Sequence, residues 1–171
     1  MIYKTEYLSP AGRIVITSDG KTITSLCFDE KSTAAALKKQ NSANVENTGI
    51  FDTCKKWLDI YFTGKDPDFT PPVNATGTPF QKAVWDILLT IPFGQTMTYG
   101  EIAEILAMMQ GKKKISAQAV GGAVGHNPVA VIIPCHRVVG VGNTLTGYAG
   151  GLDKKIKLLS NEGHDISKFS I

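Results

Sequence analysis

Short runs of apolar and β-branched residues set apart by turn signals mark the first part of the chain as strand-like. Ile2–Leu8 and Arg13–Ser18 carry this pattern, joined by the turn Ser9-Pro10-Ala11-Gly12. Asp19-Gly20 is a hairpin signal leading into a third strand, Thr22–Phe28. The pattern then changes. Ser32–Gln40 reads as a helix and Asn41–Thr48 as a polar loop, after which Ile50, Cys54, Trp57, Leu58 and Tyr61 fall on one helical face. On that stripe Cys54 reads as a core thiol, packing like a small hydrophobe.

Thr63–Gly77, with three prolines and two glycines, reads as a linker. Beyond it Thr78-Pro79-Phe80-Gln81 is a capping box with proline at the first helical position. The helix it opens is expected to bury Phe80, Ala83, Val84, Ile87 and Leu88 and to end at Ile91-Pro92-Phe93-Gly94. A second box, Thr98-Tyr99-Gly100-Glu101, opens a helix to about Leu106. After Gly111-Lys112-Lys113-Lys114, Ser116 caps a third, Ala117–Val124. Two short helices in succession suggest a helix-turn-helix, with a connection longer than usual. The expected fold class is α+β, with a small antiparallel sheet and helices in residues 1–73 and a mostly helical domain in residues 74–171.

Composition narrows the function classes. In 171 residues, 43% hydrophobic and 19% charged side chains suffice for a core, which excludes general disorder. The apolar run Val129–Ile133 is far short of a membrane span, and residues 1–15 do not read as a signal peptide. Cys27, Cys54 and Cys135 cannot all pair and lack CxxC spacing, which fits a reducing cytoplasm better than a disulfide framework or a thiolate metal site. Residues 1–73 hold nine basic and nine acidic side chains, and residues 74–171 nine and six, so the net +3 lies in the second part. That bias suits a polyanion partner as well as an ordinary surface.

The third helix offers little beyond Ala, Val and Gly, apart from Gln118. Two adjacent glycines, Gly121 and Gly122, weaken it by roughly 1 kcal/mol each. Such a helix either packs closely on a neighbour or lets its backbone approach a nucleic-acid phosphate. Its glycines are not a GxGxxG loop after a strand, so dinucleotide binding is dismissed.

Val129–Ile133 reads as a short buried strand, followed at once by Pro134-Cys135-His136-Arg137. A cysteine beside histidine and arginine has the ingredients of an activated thiolate. Neighbouring side chains of an extended chain point apart, so contact between Cys135 and His136 needs a turn or a bridging water. Asn127-Pro128 forms a turn before the strand, and Gly140-Val141-Gly142-Asn143 a hairpin after it. Tyr148 in Gly147–Gly151 can wall a pocket. Asp153 is expected to cap a last helix, Lys154 to about Asn161. Glu162, at its close, is a candidate third member of a triad that holds His136 in one tautomer.

Val131-Ile132-Ile133-Pro134-Cys135-His136-Arg137-Val138-Val139 resembles the active-site signature of the methylated-DNA–protein-cysteine methyltransferases, the O6-alkylguanine-DNA alkyltransferases. Phe93-Gly94 with Thr98-Tyr99, Ala119–Ala123, Asn127-Pro128, Gly147–Gly151 and Glu162-Gly163-His164 follow in the family's order. The resemblance implies a ribonuclease-H-like N-terminal domain and a winged-helix-like C-terminal one. It also implies a monomer acting on double-stranded DNA that contains O6-alkylguanine, with no cofactor and no metal.

By the same resemblance Cys135 would accept the alkyl group, from O6-alkylguanine and also O4-alkylthymine. His136 would deprotonate it through a water, oriented by Glu162, and Asn127 would brace the helix and the cysteine loop. Tyr99 would help turn the nucleotide out of the duplex and donate to the base. Arg137, counted with the base-binding residues, would hold the active-site loop by hydrogen bonds. Tyr148 would wall the pocket, while the Val138 and Cys135 carbonyls and the Ala149 amide read the base edge. The helix with Gln118, Ala119 and Gly122 would enter the minor groove, with Lys113 and Lys114 at the backbone. Gln118 departs from the family, which commonly has an arginine there to fill the space of the extruded nucleotide. A lesion-binding protein without transfer, a Cys-His hydrolase or thiol redox protein, and a helix-turn-helix regulator are the competing readings. Cys135 argues against the first, the DNA-binding features against the second, and the small-residue helix against the third.

Overall fold

The computed structural model describes residues 1–28, 42–44 and 49–171. The helix expected over Ser32–Gln40 lies outside the described residues. The chain forms two compact units, Met1–Thr76 with Pro128–Ile132, and Gly77–Asn127 with Ile133–Ile171. Thus the 128–132 segment, placed after residue 73 by the sequence, packs with the first unit. The fold class is α+β. No described helix is long and apolar enough to cross a membrane.

In the first unit β1 (Ile2–Ser9), β2 (Gly12–Ser18) and β3 (Ile23–Phe28) form an antiparallel meander. Ser9 closes the first turn, its hydroxyl accepting from the Gly12 amide at 3.1 Å. The Asp19 carboxylate closes the second by accepting from the Lys21 and Thr22 amides at 2.8 and 2.7 Å. β4 (Ser42–Asn44) adds a parallel strand on β1, giving the order β3-β2-β1-β4. Part of the expected polar loop 41–48 is therefore a strand.

Helix α1 (Gly49–Tyr61) buries Ile50, Cys54, Trp57, Leu58 and Tyr61, and also Phe51. Trp57 and Tyr61 stack, with ring centroids 5.2 Å apart.

The segment expected as a strand over Val129–Ile133 is not one. Val129 makes a single bridge to Leu26, and the chain then turns. The Ile132 amide bonds the Ala130 carbonyl at 2.8 Å around Val131, whose φ of 69° is rare for a β-branched residue. A second turn, the Cys135 amide to the Ile133 carbonyl at 2.8 Å, follows around Pro134. Two consecutive reversals break the extension that five apolar residues suggested.

In the second unit both capping boxes are present. They start α2 (Pro79–Leu88) and α3 (Tyr99–Met109), the latter about a turn longer than expected. Trp85 is buried on α2 beside Val84, Ile87 and Leu88, its indole N–H donating to the Ala123 carbonyl at 2.9 Å, and Phe80 and Ala83 are only half-buried. Ser116 caps α4 (Ala117–Gly125) by accepting from the Ala119 amide at 2.9 Å. β5 (Met97–Thr98) runs parallel to β6 (Val138–Val139), which fixes the chain just after the cysteine. The last helix, α5 (Leu152–Asn161), is capped not by Asp153 but by Gly151. At φ 97° and ψ 148° that cap needs a residue without Cβ, and Asp153 falls in the exposed first turn.

Candidate active site

Cys135 opens a single 3-10 turn, Cys135–Arg137, between the paired turns and β6. The turn directs three consecutive side chains inward, so Cys135, His136 and Arg137 are all buried. The thiol is 5% exposed.

Glu162, at the C-cap of α5, collects the turn's polar groups. Its Oε1 lies 2.6 Å from His136 Nε2, with both side chains fully buried. Arg137 Nε donates to Oε2 at 2.9 Å and Arg137 Nη2 to Oε1 at 2.9 Å. The Gly94 amide adds a bond to Oε2 at 2.9 Å, and Arg137 Nη1 reaches the Ile91 carbonyl at 2.6 Å. One carboxylate therefore fastens the 91–94 turn, the 3-10 turn and the end of α5. The Arg137 guanidinium is directed into this cluster, where it serves the loop.

The charges follow from these contacts. Burial pushes the Glu162 carboxyl up, but the hydrogen bond from His136 and the bonds and charge of Arg137 outweigh it and bring the group down to about 2. Burial lowers His136, which Glu162 offsets only in part, so its resting imidazole is neutral. A neutral ring donating from Nε2 to Glu162 presents Nδ1 as a proton acceptor. Burial raises Cys135, against hydrogen bonds from Asn127 and Tyr148 and the charge of Lys155. The resting group is a thiol with a base beside it, and the groups around it favour the thiolate once it forms.

Asn127 Nδ2 also donates to the Ile133 carbonyl at 2.8 Å, bracing the approach to Cys135 from the end of α4. The Val138 and Cys135 carbonyls already accept bonds, from Lys155 Nζ at 2.6 Å and from the Val138 amide, and a carbonyl's second lone pair is what a base edge would use. Tyr99 lies at the start of α3, its hydroxyl accepting from Thr146 Oγ1 at 3.1 Å. Ala149 is exposed and Tyr148 half-buried in the loop before α5. Gln118, Ala119 and Gly122 lie exposed on α4, preceded by the exposed Lys113 and Lys114. Those lysines border a cavity of about 580 Å³ against α3, apart from the cysteine.

Lys155 escaped the sequence reading. It is 1% exposed, and its ammonium bonds the Val138 carbonyl and, at 3.1 Å, the Thr146 carbonyl. Burial lowers it to about 8, and a thiolate at Cys135 acts the other way. The signal was its place on the apolar stripe of α5 with Leu152, Ile156, Leu158 and Leu159, where a charged residue is out of pattern.

Two domains of one protein family match the chain, meeting between residues 75 and 79. The DNA-binding domain of 6-O-methylguanine DNA methyltransferase matches residues 79–164. The ribonuclease-like domain of the same family matches residues 2–75. The chain is 37% identical to the methylated-DNA–protein-cysteine methyltransferase of Mycobacterium leprae, covering 97% of this chain and 95% of that one. Its counterpart in Haemophilus influenzae is 39% identical, over 94% and 86% respectively. Among solved structures, Mycobacterium tuberculosis OGT in complex with DNA superposes with a TM-score of 0.80 at 36% identity, covering 98% of this chain and 95% of that one. Two matched domains, and relatives alike over nearly their whole length, place the chain in the 6-O-methylguanine DNA methyltransferase family.

Proposed function

We propose that the protein repairs alkylated DNA by moving the alkyl group from O6 of guanine, and from O4 of thymine, onto the sulfur of Cys135. The observation that carries this reading is the buried chain behind that sulfur. Glu162 grips His136 at 2.6 Å, and Arg137 locks the same carboxylate. Such an arrangement makes a neutral base next to a thiol and stabilises the imidazolium that forms when the proton moves.

In the first step the Cys135 proton passes to His136 through a water. The thiolate attacks the alkyl carbon in line with the C–O bond, so an S–C bond forms as the C–O bond breaks. The electron pair leaves on the base oxygen, where donors such as the Tyr99 hydroxyl and the Ala149 amide lower the barrier. The thioether has no route back to thiolate, so each molecule reacts once. The cysteine is out of reach of a stacked base. The nucleotide must leave the duplex, at a few kcal/mol and less for a poorly paired lesion. It then enters past the loop carrying Tyr148 and Ala149. The exposed, small-residue face of α4 suits a shallow seat in the minor groove, with Gln118 filling the space left behind and Lys113 and Lys114 on the backbone.

Mixing the protein with a duplex containing O6-methylguanine and mapping added mass by peptide tests this. One methyl per protein on Cys135, absent in Cys135→Ser, is the expected result. Tight binding of the duplex with an unmodified thiol overturns it.

A further inference from the structure

The bond between Thr146 and Tyr99 joins residues far apart in sequence, and the function described above leaves it unused. Thr146 Oγ1 donates to the Tyr99 hydroxyl oxygen at 3.1 Å. Thr146 is itself anchored, because its carbonyl accepts from the buried Lys155 ammonium, which also holds the Val138 carbonyl. The Tyr99 ring faces α4 at Gly121, where an added Cβ would meet two of its carbons in ordinary contact at 3.7 and 3.8 Å. Thr146 bonds the oxygen, and the phenolic hydrogen turns about the C–O bond. Accepting from Thr146 occupies one lone pair, turns that hydrogen away from Thr146 and polarises it as a donor.

We propose that Thr146 is a positioning residue for alkyl transfer, holding the Tyr99 hydroxyl so that its proton is presented to the extruded base. This rests on the repair reading above, in which Tyr99 donates to that base. Lys155 extends the arrangement, since one ammonium bonds both the Val138 carbonyl, at 2.6 Å, and the Thr146 carbonyl, at 3.1 Å. The side chain that donates and the carbonyl that accepts are thereby placed in one frame.

The test is single-turnover methyl transfer from an O6-methylguanine duplex, with the rate constant at saturating protein measured separately from duplex Kd. Thr146→Val keeps the shape and removes the hydroxyl. It is expected to lower the saturating rate constant about fivefold, the worth of one ordinary hydrogen bond, with Kd and Tm unchanged. Thr146→Ser is expected to restore the rate. In a Tyr99→Phe background, Thr146→Val is expected to add no further loss, because the bond it removes is already gone. A valine variant as fast as the wild type overturns the proposal. So does a valine effect as large in Tyr99→Phe as in the wild type, or a serine variant as slow as the valine one. Wild-type protein that takes up no methyl group overturns the repair reading and this one with it, whereas normal transfer with an inert Thr146→Val overturns this one alone.

Discussion

Two cysteines in this chain are buried in different company. Cys54 is fully enclosed on α1 by the aromatic and aliphatic face of the first unit, and burial pushes its thiol up to about 12 with only the charge of Lys55 acting against it. Cys135 is nearly as enclosed, and burial raises it too, but Asn127, Tyr148 and Lys155 all act against that rise and a neutral His136 is next in the chain. Enclosure alone makes a thiol inert. Enclosure with donors, a cation and a base is the setting that the proposed acceptor role requires.

The sharpest break in this comparison is to exchange sulfur for oxygen at each site. Cys135→Ser is expected to lose methyl transfer altogether with little change in Tm. Cys54→Ser is expected to transfer at the wild-type rate while losing about 1–3 kcal/mol of stability, because it buries a hydroxyl in an apolar site. Peptide mass mapping and denaturant unfolding read the two effects separately.

Next in size is the carboxylate that only the second site possesses. Glu162→Gln leaves the Arg137 guanidinium buried without its counter-charge and is expected to cost about 3–5 kcal/mol in urea unfolding. The same group gives the wild type a pH signature. Its carboxyl lies below its unfolded value, so the stability it contributes is present above about pH 4.5 and is lost as pH falls toward 2. An acid titration of Tm that is equally steep in Glu162→Gln would contradict this assignment.

Lys155 gives a smaller effect, in the opposite pH range. Its folded value, about 8, is below the free one, so this group's penalty on folding is present at neutral pH and is relieved as pH rises through 8 to about 10.5. Deprotonation also removes the cation near the Cys135 sulfur. Lys155→Met is expected to slow transfer several-fold near pH 7 and to flatten any change in rate near pH 8 that the wild type shows. Gln118→Arg should have the smallest effect. It is expected to tighten lesion-duplex binding a few-fold and to steepen the salt dependence by about one counterion. Unchanged affinity and transfer rate would show that Gln118 is no deficit.

How much of this was legible beforehand differs between the two cysteines. The stripe of α1 is periodic, and Cys54 is in register with it, so its packing followed from spacing. Both helix starts at Thr78 and Thr98 followed from local capping chemistry, which tertiary contacts do not disturb. The turns around Val131 and Pro134 were not legible, because a run of apolar residues reads alike as strand or as buried turn until its backbone angles are known. The bond between His136 and Glu162 spans 26 residues; from the chain Glu162 was a candidate beside the plainer reading of a surface carboxylate, and the resemblance added the orienting role. Lys155 was missed because the last helix was placed by its cap and its end, without a reading of its faces. On its apolar stripe one misfit, a charged side chain among leucines, pointed to the ammonium at the site.

The exposed edge of α4 shows Ala117, Gln118, Ala119, Gly122 and Gly125, and little there can tell one base pair from another. A protein meeting DNA through that edge is almost blind to spelling. It has no favoured address on which to linger, and healthy text everywhere looks the same to it. What stands out is a letter already loose in its place.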